Sequence, residues 1–276
     1  IGKLNGGFIV ASETCALDII GATFLREVKP GELVVINDLG LKSVQVVKGD
    51  QKLDVFEFIY FARPDSIILG KSVDQVRQNC GKELAKEVKI QADVVIPVPD
   101  SAIPAAIGYA NESGIPFYLG LIKNRYIHRT FISPESHTRH KMVQQKLNPM
   151  RHILSGKRVI VVDDSIVRGT TSKQIVKMLK DAGAKEVHLL VSSPPFKYPD
   201  FYGINAPDQK DLIAAVKNVP QITKDLGVNS LHYLSYEGMI KAVDLPESVL
   251  CTSCFTGVYP VDIGERKNDV SYDVVV

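Results

Sequence analysis

The sequence has 276 residues, of which 45% are hydrophobic, with 33 Lys or Arg against 31 Asp or Glu. This composition is typical of a globular protein and excludes a disordered tail, a collagen-like chain and a disulfide-stapled mini-protein. The near-neutral charge argues against a dedicated nucleic-acid binder, and no run of about 18 apolar residues predicts a membrane span. The four unevenly spaced cysteines favour a reducing compartment.

The N-terminal residues 1–48 are predicted to be rich in β-structure. Gly6-Gly7 predicts a hairpin turn before Phe8–Val10, and Pro30-Gly31 predicts a second turn before a strand at Leu33–Ile36. The sequence lacks an initial Met and a signal-peptide pattern, which suggests a fragment of a longer chain. A polar stretch then leads to a region with a different pattern.

From Phe56 onward, apolar strands alternate with helices. Helices are predicted at Ser72–Val88, Ala102–Glu112 and Ser172–Ala182, with further helical pattern across 208–243. Strands are predicted at Val94–Val98, Phe117–Ile122, Arg158–Val162 and Val187–Val191. Apolar strands without alternation, interleaved with helices, predict an α/β fold whose parallel sheet is covered by helices on both faces. The last residues, 250–276, look less regular.

The most informative segment is Arg158–Ser172. A buried strand ends at Asp163-Asp164, and a short loop with Gly169 and several hydroxyls leads into a helix. Ligands of open α/β sheets bind at the carboxyl ends of strands, and helix N-termini bind anions. The alternative is that the Asp pair caps the helix and the small residues only form a turn. The order of strand, acids, polar loop and helix favours a site for a phosphorylated ligand.

Several collinear motifs point to one family. They are Phe58–Ser66, Pro97–Ser101, Lys123–Tyr126, Arg129–Ile132 and Val162–Ser172. With these motifs the chain resembles the amidophosphoribosyltransferases, which belong to the type I phosphoribosyltransferases. Ala11–Asp18 is similar to the last part of that family's glutaminase domain. The resemblance runs from about Ile1 to Gly257.

The resemblance implies a type I phosphoribosyltransferase fold with three parts. Residues 1–48 would be the C-terminal remnant of an N-terminal-nucleophile glutaminase domain, 49–250 the phosphoribosyltransferase domain, and 251–276 a tail. The implied reaction forms 5-phosphoribosylamine and pyrophosphate from phosphoribosyl pyrophosphate and ammonia, the first committed step of purine synthesis. The family nucleophile for glutamine is an N-terminal Cys that this sequence does not contain, so glutaminase activity is not expected. A cytoplasmic homo-oligomer inhibited by purine nucleotides is implied as well.

The resemblance also assigns roles to residues. Mg²⁺ would be held by Ser101, Asp163 and Asp164. The catalytic residues would be Asp163, Asp164, Lys123 and Arg129. Substrate would be bound by Ser165, Val167, Arg168, Gly169, Thr170, Thr171 and Ser172, with Arg125 and Tyr126 near the pyrophosphate.

The stretch Lys123–Lys157 is strongly basic, with eight Lys or Arg and a single acid, Glu135. By itself it is compatible with a solvated loop or a nucleic-acid patch. Its place between two strands of a phosphate-binding domain favours a lid, and the resemblance implies a flexible loop that closes over substrate.

Cys251 and Cys254 form a CxxC pair, which cannot complete a four-ligand metal site by itself. Many members of the family hold a four-iron four-sulfur cluster with such a pair and two upstream cysteines. The upstream positions correspond here to Asp54 and Asp200, so no iron–sulfur cluster is expected. A packed or weakly redox-active remnant pair is the alternative.

Two other functions use the same fold. One is a non-catalytic regulator that senses phosphoribosyl pyrophosphate or nucleotides, although no DNA-binding helical module is apparent. The other is a salvage phosphoribosyltransferase acting on a nucleobase, a group that lacks the Ala11–Asp18 stretch and the long 200–257 extension. Formation of phosphoribosylamine with ammonia separates both from the first interpretation.

Overall fold

A computed structural model of the chain describes residues 1–124, 147–204, 206 and 208–275. The N-terminal part is built of short strands and one helix. Its elements are β1 (Gly2–Leu4), β2 (Gly7–Ile9), α1 (Thr14–Ile19), β3 (Thr23–Phe24), β4 (Glu32–Asn37) and β5 (Gly40–Gln45). Strands β1 and β2 form the hairpin predicted at Gly6-Gly7. Its turn takes positive φ angles at Asn5 and Gly6, as tight hairpins require.

The central part begins with small elements that lead into the main sheet. They are β6 (Leu53–Asp54), a π-helix (Glu57–Phe61), β7 (Ile67–Ile68), β8 (Lys71–Ser72), α2 (Val73–Glu87), β9 (Val94–Pro97), α3 (Ile103–Ser113) and β10 (Leu121–Lys123). After residues 125–146 follow β11 (Leu147–Pro149), α4 (Arg151–Leu154), β12 (Arg158–Asp163), α5 (Thr170–Asp181) and β13 (Glu186–Val191).

The C-terminal part completes the sheet and then folds back onto β6. Its helices and strands are α6 (Ile213–Val216), α7 (Val219–Leu226), β14 (Ser230–Tyr233), α8 (Tyr236–Val243), β15 (Leu250–Cys251) and α9 (Ser253–Thr256). Single 3₁₀ turns lie at Gln209–Asp211, Glu247–Val249 and Gly264–Asp269. Among the residues described, no helix is long and apolar enough to cross a membrane.

The main sheet has the order β14-β13-β12-β9, and all of its strand pairs are parallel. Asp163 at the end of β12 lies opposite Val191, and Val162 lies opposite Pro97 of β9. The four central residues of β12 are fully buried because both faces of the sheet are covered. The predicted α/β fold with a helix-flanked parallel sheet is therefore confirmed.

Two cores flank the sheet. One face packs against α2, α3 and α8, and the other against α5 and α7. Helices α2 and α3 approach closely because Gly81 and Gly108 present no side chain at their contact. A Cβ at Gly81 would lie 1.9 Å from the carbonyl oxygen of Ala105, so the backbone itself fills that space.

Two sequence-based element predictions differ from the structure. The predicted strand Phe117–Ile122 consists of a single bridge from Phe117 to Val95, followed by β10, which pairs with β11 outside the main sheet. The helical pattern across 208–243 contains the edge strand β14. Its four residues are too few to show a periodicity of their own, and pairing with β13 determines their conformation.

Candidate functional site

The acidic pair lies at the carboxyl end of the main sheet. Asp163 is the last residue of β12, and Asp164 begins the loop that leads to α5. The neighbouring strand β9 ends at Pro97, and Ser101 follows it just before α3. Because parallel strands end at the same edge of a sheet, the two segments meet there.

Hydroxyl groups from both segments converge on Asp164. The Ser101 hydroxyl donates to Oδ2 of Asp164, and the Ser165 hydroxyl donates to Oδ1 at 2.6 Å. The backbone N–H of Asp164 in turn donates to Oδ1 of Asp163 at 3.0 Å. The structure thus brings together the three residues that the resemblance assigns to the metal site.

Burial and mutual repulsion shape the electrostatics of this pair. Asp163 and Asp164 are 7% and 6% exposed. Burial, followed by the charge of Asp164, raises the pKa of Asp163 well above its ordinary value. Burial also raises the pKa of Asp164, while hydrogen bonds from Ser101 and Ser165 act in the opposite direction. Two buried carboxylates side by side repel each other, and a bound positive ion or hydroxyl donor relieves that repulsion.

Sequence reasoning missed Arg77 of α2, which is only 3% exposed. Its Nε donates to the carbonyl oxygen of Phe58 at 2.6 Å, and Nη2 donates to that of Ala62 at 2.8 Å. Its positive charge also favours the ionised form of Asp164 and so lowers that residue's pKa. The available signal was a cationic residue on the apolar face of a predicted helix, one turn after Val73.

The loop after the acids forms the N-terminus of α5. Gly169 precedes the helix with φ of 74°, and a Cβ there would lie 2.8 Å from Cδ1 of Ile213. Thr170 and Thr171 are exposed, whereas Ser172 is buried. The first N–H groups of this 12-residue helix have no partner within the helix, so they can bind an anion.

The remaining loop residues have distinct environments. Val167 is half-buried against the core, and its carbonyl oxygen accepts the N–H of Ile213 at 2.9 Å. Arg168 is exposed and pairs with Asp211 at 3.2 Å. The structure therefore gives Val167 a packing role and leaves the Arg168 side chain at the surface beside the loop.

Lys123 ends β10 on the other side of the site. Its Nζ lies 2.7 Å from Oδ2 of Asp100, the residue before Ser101, and both side chains are largely exposed. The other residues predicted near the pyrophosphate, Arg125, Tyr126 and Arg129, lie outside the described residues, as does most of the predicted lid.

Tyr233 was also missed by sequence reasoning. It ends β14, and its hydroxyl is buried without a hydrogen-bond partner in the described part of the chain. Tyr233 lies opposite Val191 of β13, which lies opposite Asp163 of β12, so it ends at the same edge of the sheet as the acidic pair. Burial and the charge of Asp163 raise the pKa of Tyr233 above its ordinary value. No signal pointed to it, because β14 itself was not predicted.

The donor set of the acidic pair fits a hard cation. Mg²⁺ binds one or two carboxylates and completes its shell with water and substrate oxygens. Asp163, Asp164 and Ser101 offer only oxygen atoms. Within residues 1–124, 147–204, 206 and 208–275 there is no group of three or more His, Cys, Asp or Glu arranged to hold a metal ion. A Mg²⁺ ion with substrate oxygens in its shell needs no such group.

The family resemblance also raises the question of a metal site at Cys251, Cys254 and the two aspartates at the positions of the family's upstream cysteines, Asp54 and Asp200. Asp54 and Asp200 interact electrostatically with the thiols of Cys251 and Cys254. A four-iron cluster in the family requires four thiolates, whereas this set has two thiols and two carboxylates. The residues present do not fit the cluster.

Comparisons with known proteins agree with this geometry. The Phosphoribosyl transferase domain family matches residues 69–197, which include β9, β12 and the loop after the acidic pair. Curated amidophosphoribosyltransferases from Bacillus subtilis and Synechocystis are 50% and 53% identical over 95% and 93% of this chain. The chain covers 56% and 52% of their lengths.

Solved structures lead to the same family. A glutamine phosphoribosylpyrophosphate amidotransferase from B. subtilis, complexed with ADP and GMP, aligns with a TM-score of 0.88 at 49% identity. The alignment includes 100% of this chain and 60% of the B. subtilis chain. The chain thus spans little more than half the length of these relatives. About half of its residues are identical over nearly its whole length, so the chain is similar to a large part of the amidophosphoribosyltransferases.

Proposed function

We propose that this chain carries the phosphoribosyltransferase reaction of an amidophosphoribosyltransferase. It would form 5-phosphoribosylamine and pyrophosphate from phosphoribosyl pyrophosphate and ammonia. The observation that carries the proposal is the buried Asp163-Asp164 pair, which meets Ser101 at the sheet edge and is followed by the N-terminus of α5.

The substrate's groups match the parts of the site. The N–H groups and hydroxyls from Ser165 to Ser172 would hold the 5′-phosphate. Asp163 and Asp164 would accept hydrogen bonds from the ribose hydroxyls, which places the sugar against the end of β12. Lys123 would face the pyrophosphate, and we assign Arg125, Tyr126 and Arg129 to the same side from sequence. These contacts orient the sugar for attack by ammonia.

The chemistry then proceeds by displacement at C1 of the ribose. The C1–N bond forms as the C1–O bond to pyrophosphate breaks, and ammonia loses a proton after the attack. Mg²⁺, held by Asp163, Asp164 and Ser101 together with substrate oxygens, would neutralise charge on the leaving group. The carboxylates would stabilise the positive charge that develops on the sugar.

Ammonia is the nitrogen donor that we assign to these residues. All four cysteines of the chain are buried, and burial raises the pKa of the Cys80 thiol to about 12 and that of Cys254 as well. None of them therefore resembles an exposed, activated thiolate that could attack glutamine. Residues 1–48 are assigned to the glutaminase domain and 49–250 to the phosphoribosyltransferase domain, with 251–276 as a tail.

Regulation and assembly are proposed from the same relatives. The B. subtilis structure is described as complexed with ADP and GMP. We therefore propose that purine nucleotides bind this chain and inhibit it. A homo-oligomer and a cytoplasmic location remain predictions from the family resemblance.

The test is pyrophosphate release from phosphoribosyl pyrophosphate and Mg²⁺, with ammonium or a nucleobase as acceptor. We expect release that depends on ammonium and yields phosphoribosylamine. D164N should lose it, while D208N, which changes an exposed acid outside the site, should retain it. Release that depends on a nucleobase would replace the proposal with a salvage reaction. Binding without turnover by either acceptor would indicate a regulator.

A further inference from the structure

A second pair of carboxyl groups lies away from the candidate site. Asp54 ends β6, which pairs in parallel with β15 and so places Asp54 opposite Cys251. Asp200 lies in the segment that follows β13 and is 2% exposed. The buried Cys251 and Cys254 line the same small region.

Each carboxyl group is anchored through one oxygen only. Oδ1 of Asp54 accepts the backbone N–H of Phe56 at 2.9 Å. Oδ1 of Asp200 accepts three backbone N–H groups at 2.8, 2.9 and 3.1 Å, from Tyr202, Gly203 and Ile204. The other oxygen of each group, Oδ2, is buried and has no hydrogen-bond donor in the described part of the chain.

Among the described residues, no donor lies within hydrogen-bond distance of these two oxygens. The titratable groups that face the pair are acidic or neutral: Glu57, Cys251, Cys254, Tyr202 and Tyr259. The two carboxyl groups are close neighbours: Gly203, whose N–H donates to Oδ1 of Asp200, also packs against Asp54, and a Cβ on Gly203 would lie 3.7 Å from Oδ2 of Asp54. Two ionised carboxylates repel when they are buried side by side, whereas one added proton supplies a hydrogen bond between them.

We propose that Asp54 and Asp200 bind a single shared proton between their side chains, and that this proton-binding site fastens the segment 200–204 to β6. The direction of titration supports this geometry. Burial and the charge of Asp200 raise the pKa of Asp54 to about 7. Proton release therefore falls within the range of ordinary cellular pH.

The segment 200–204 and the residue before it contact the C-terminal part of the chain. The Tyr202 hydroxyl donates to the carbonyl oxygen of Val261 at 3.1 Å, and the Tyr259 hydroxyl donates to that of Pro199 at 2.8 Å. The rings of Phe201 and Tyr259 lie 5.5 Å apart. Loss of the shared proton leaves two adjacent buried charges under these contacts, which loosens the segment and the residues packed on it.

The sign of the stability effect follows from the raised pKa. A carboxyl group that titrates at about 4 in the unfolded chain and about 7 in the folded chain binds its proton more tightly when folded. Its contribution to stability is fully present below about pH 4 and is lost as the pH rises through 7. Between these limits, each unit by which the pH rises increases this site's contribution to the unfolding equilibrium constant about tenfold.

The experiment follows the aspartate carboxyl carbons by NMR in the ¹³C-labelled chain, from pH 4 to 9, with D54N and D200N used to assign the signals. We expect the Asp54 signal to show a protonation step near pH 7. Backbone amides of 202–204 should lose hydrogen-exchange protection, corrected for intrinsic rates, across the same step. D54N carries an amide donor in place of the proton, so its protection should not change with pH. D208N should behave as the unmodified chain.

Two results would overturn the proposal. One is titration of Asp54 near pH 4, with protection of 202–204 independent of pH. The other is stoichiometric iron or zinc in the purified chain that disappears in C251S, since the carboxylate oxygens would then be metal ligands. Through-bond correlation with the backbone assigns the two carboxyl signals where a variant does not fold, so the titration of the unmodified chain still decides the question. It also does not depend on phosphoribosyl pyrophosphate binding, so it can fail or succeed independently of the proposed function.

Discussion

The chain contains two pairs of carboxyl groups that are brought together inside the protein, and they differ in what surrounds them. Asp163 and Asp164 lie at the end of a parallel sheet, with the hydroxyls of Ser101 and Ser165 donating to one of them. Asp54 and Asp200 lie beneath the C-terminal residues, where each has one oxygen without a donor in the described part of the chain. Burial is the largest cause that raises the pKa of Asp54, Asp163 and Asp164.

The difference shows that burial of like charges does not by itself define a function. At the sheet edge the acids are followed by an anion-binding helix N-terminus, and the buried guanidinium of Arg77 lies close enough to favour ionised Asp164. That pair can stay charged and bind a cation with a phosphorylated sugar. The other pair faces acidic and neutral groups, so a proton is the cation that it takes up.

The largest expected effect is a loss of ligand affinity that occurs in variants of one aspartate pair and not of the other. D163N and D164N should each weaken binding of phosphoribosyl pyrophosphate with Mg²⁺ by about 10²- to 10³-fold, because each removes a charge that the ligand complex requires. D54N should leave that affinity within about twofold, since it lies outside the site. Isothermal titration calorimetry measures both. Equal losses in the two pairs would show that the functional distinction between them is wrong.

The candidate site was predictable from sequence to the extent that its residues are adjacent in the chain. Asp163 to Ser172 form one strand–loop–helix segment, so the local pattern contains both the acids and the phosphate cradle. Ser101 and Lys123 came from family resemblance. Ser101 lies near the pair because β9 is the neighbour of β12, and Lys123 lies there through its ion pair with Asp100. Arg77 and Tyr233 were missed because tertiary packing alone brings them near the acids.

Long helices could also be predicted from the sequence, whereas short strands could not. Helix α2 was predicted within one residue at each end, whereas β14 was hidden in a helical pattern. Short edge strands depend on a neighbour for their hydrogen bonds, and the local sequence carries little of that information. The meeting of Asp54 with Cys251 likewise depends on β6 pairing with β15, two strands that are almost two hundred residues apart.

A smaller effect tests Arg77, the buried cation near Asp163 and Asp164. R77Q should destabilise the chain by about 2–4 kcal/mol, because it removes the charged donor from the carbonyl oxygens of Phe58 and Ala62. It should also raise the pKa of Asp164 further and leave the Asp54 titration unchanged. Urea unfolding measures the first effect and carboxyl NMR the second.

The matched control is K86Q on the same helix, whose exposed ammonium pairs with Glu83. Solvent screens surface pairs of this kind, so K86Q should barely shift the urea midpoint. Similar midpoints for R77Q and K86Q would contradict a structural role for the buried guanidinium. A changed Asp54 titration in R77Q would show that the two acidic pairs are coupled.

The smallest expected effect concerns Lys123, which is exposed and pairs with Asp100 at 2.7 Å. K123A should change the free energy of unfolding by less than about 1 kcal/mol, because solvent screens such a pair. Its affinity for phosphoribosyl pyrophosphate should nevertheless fall severalfold, and the loss should shrink as salt is added. D100N offers the control, since it frees Lys123 from its partner and should not weaken binding. A stability loss in K123A that matched its binding loss would mean that the residue supports the fold around Asp163 and Asp164. With stability unchanged, its charge would instead act on the ligand directly.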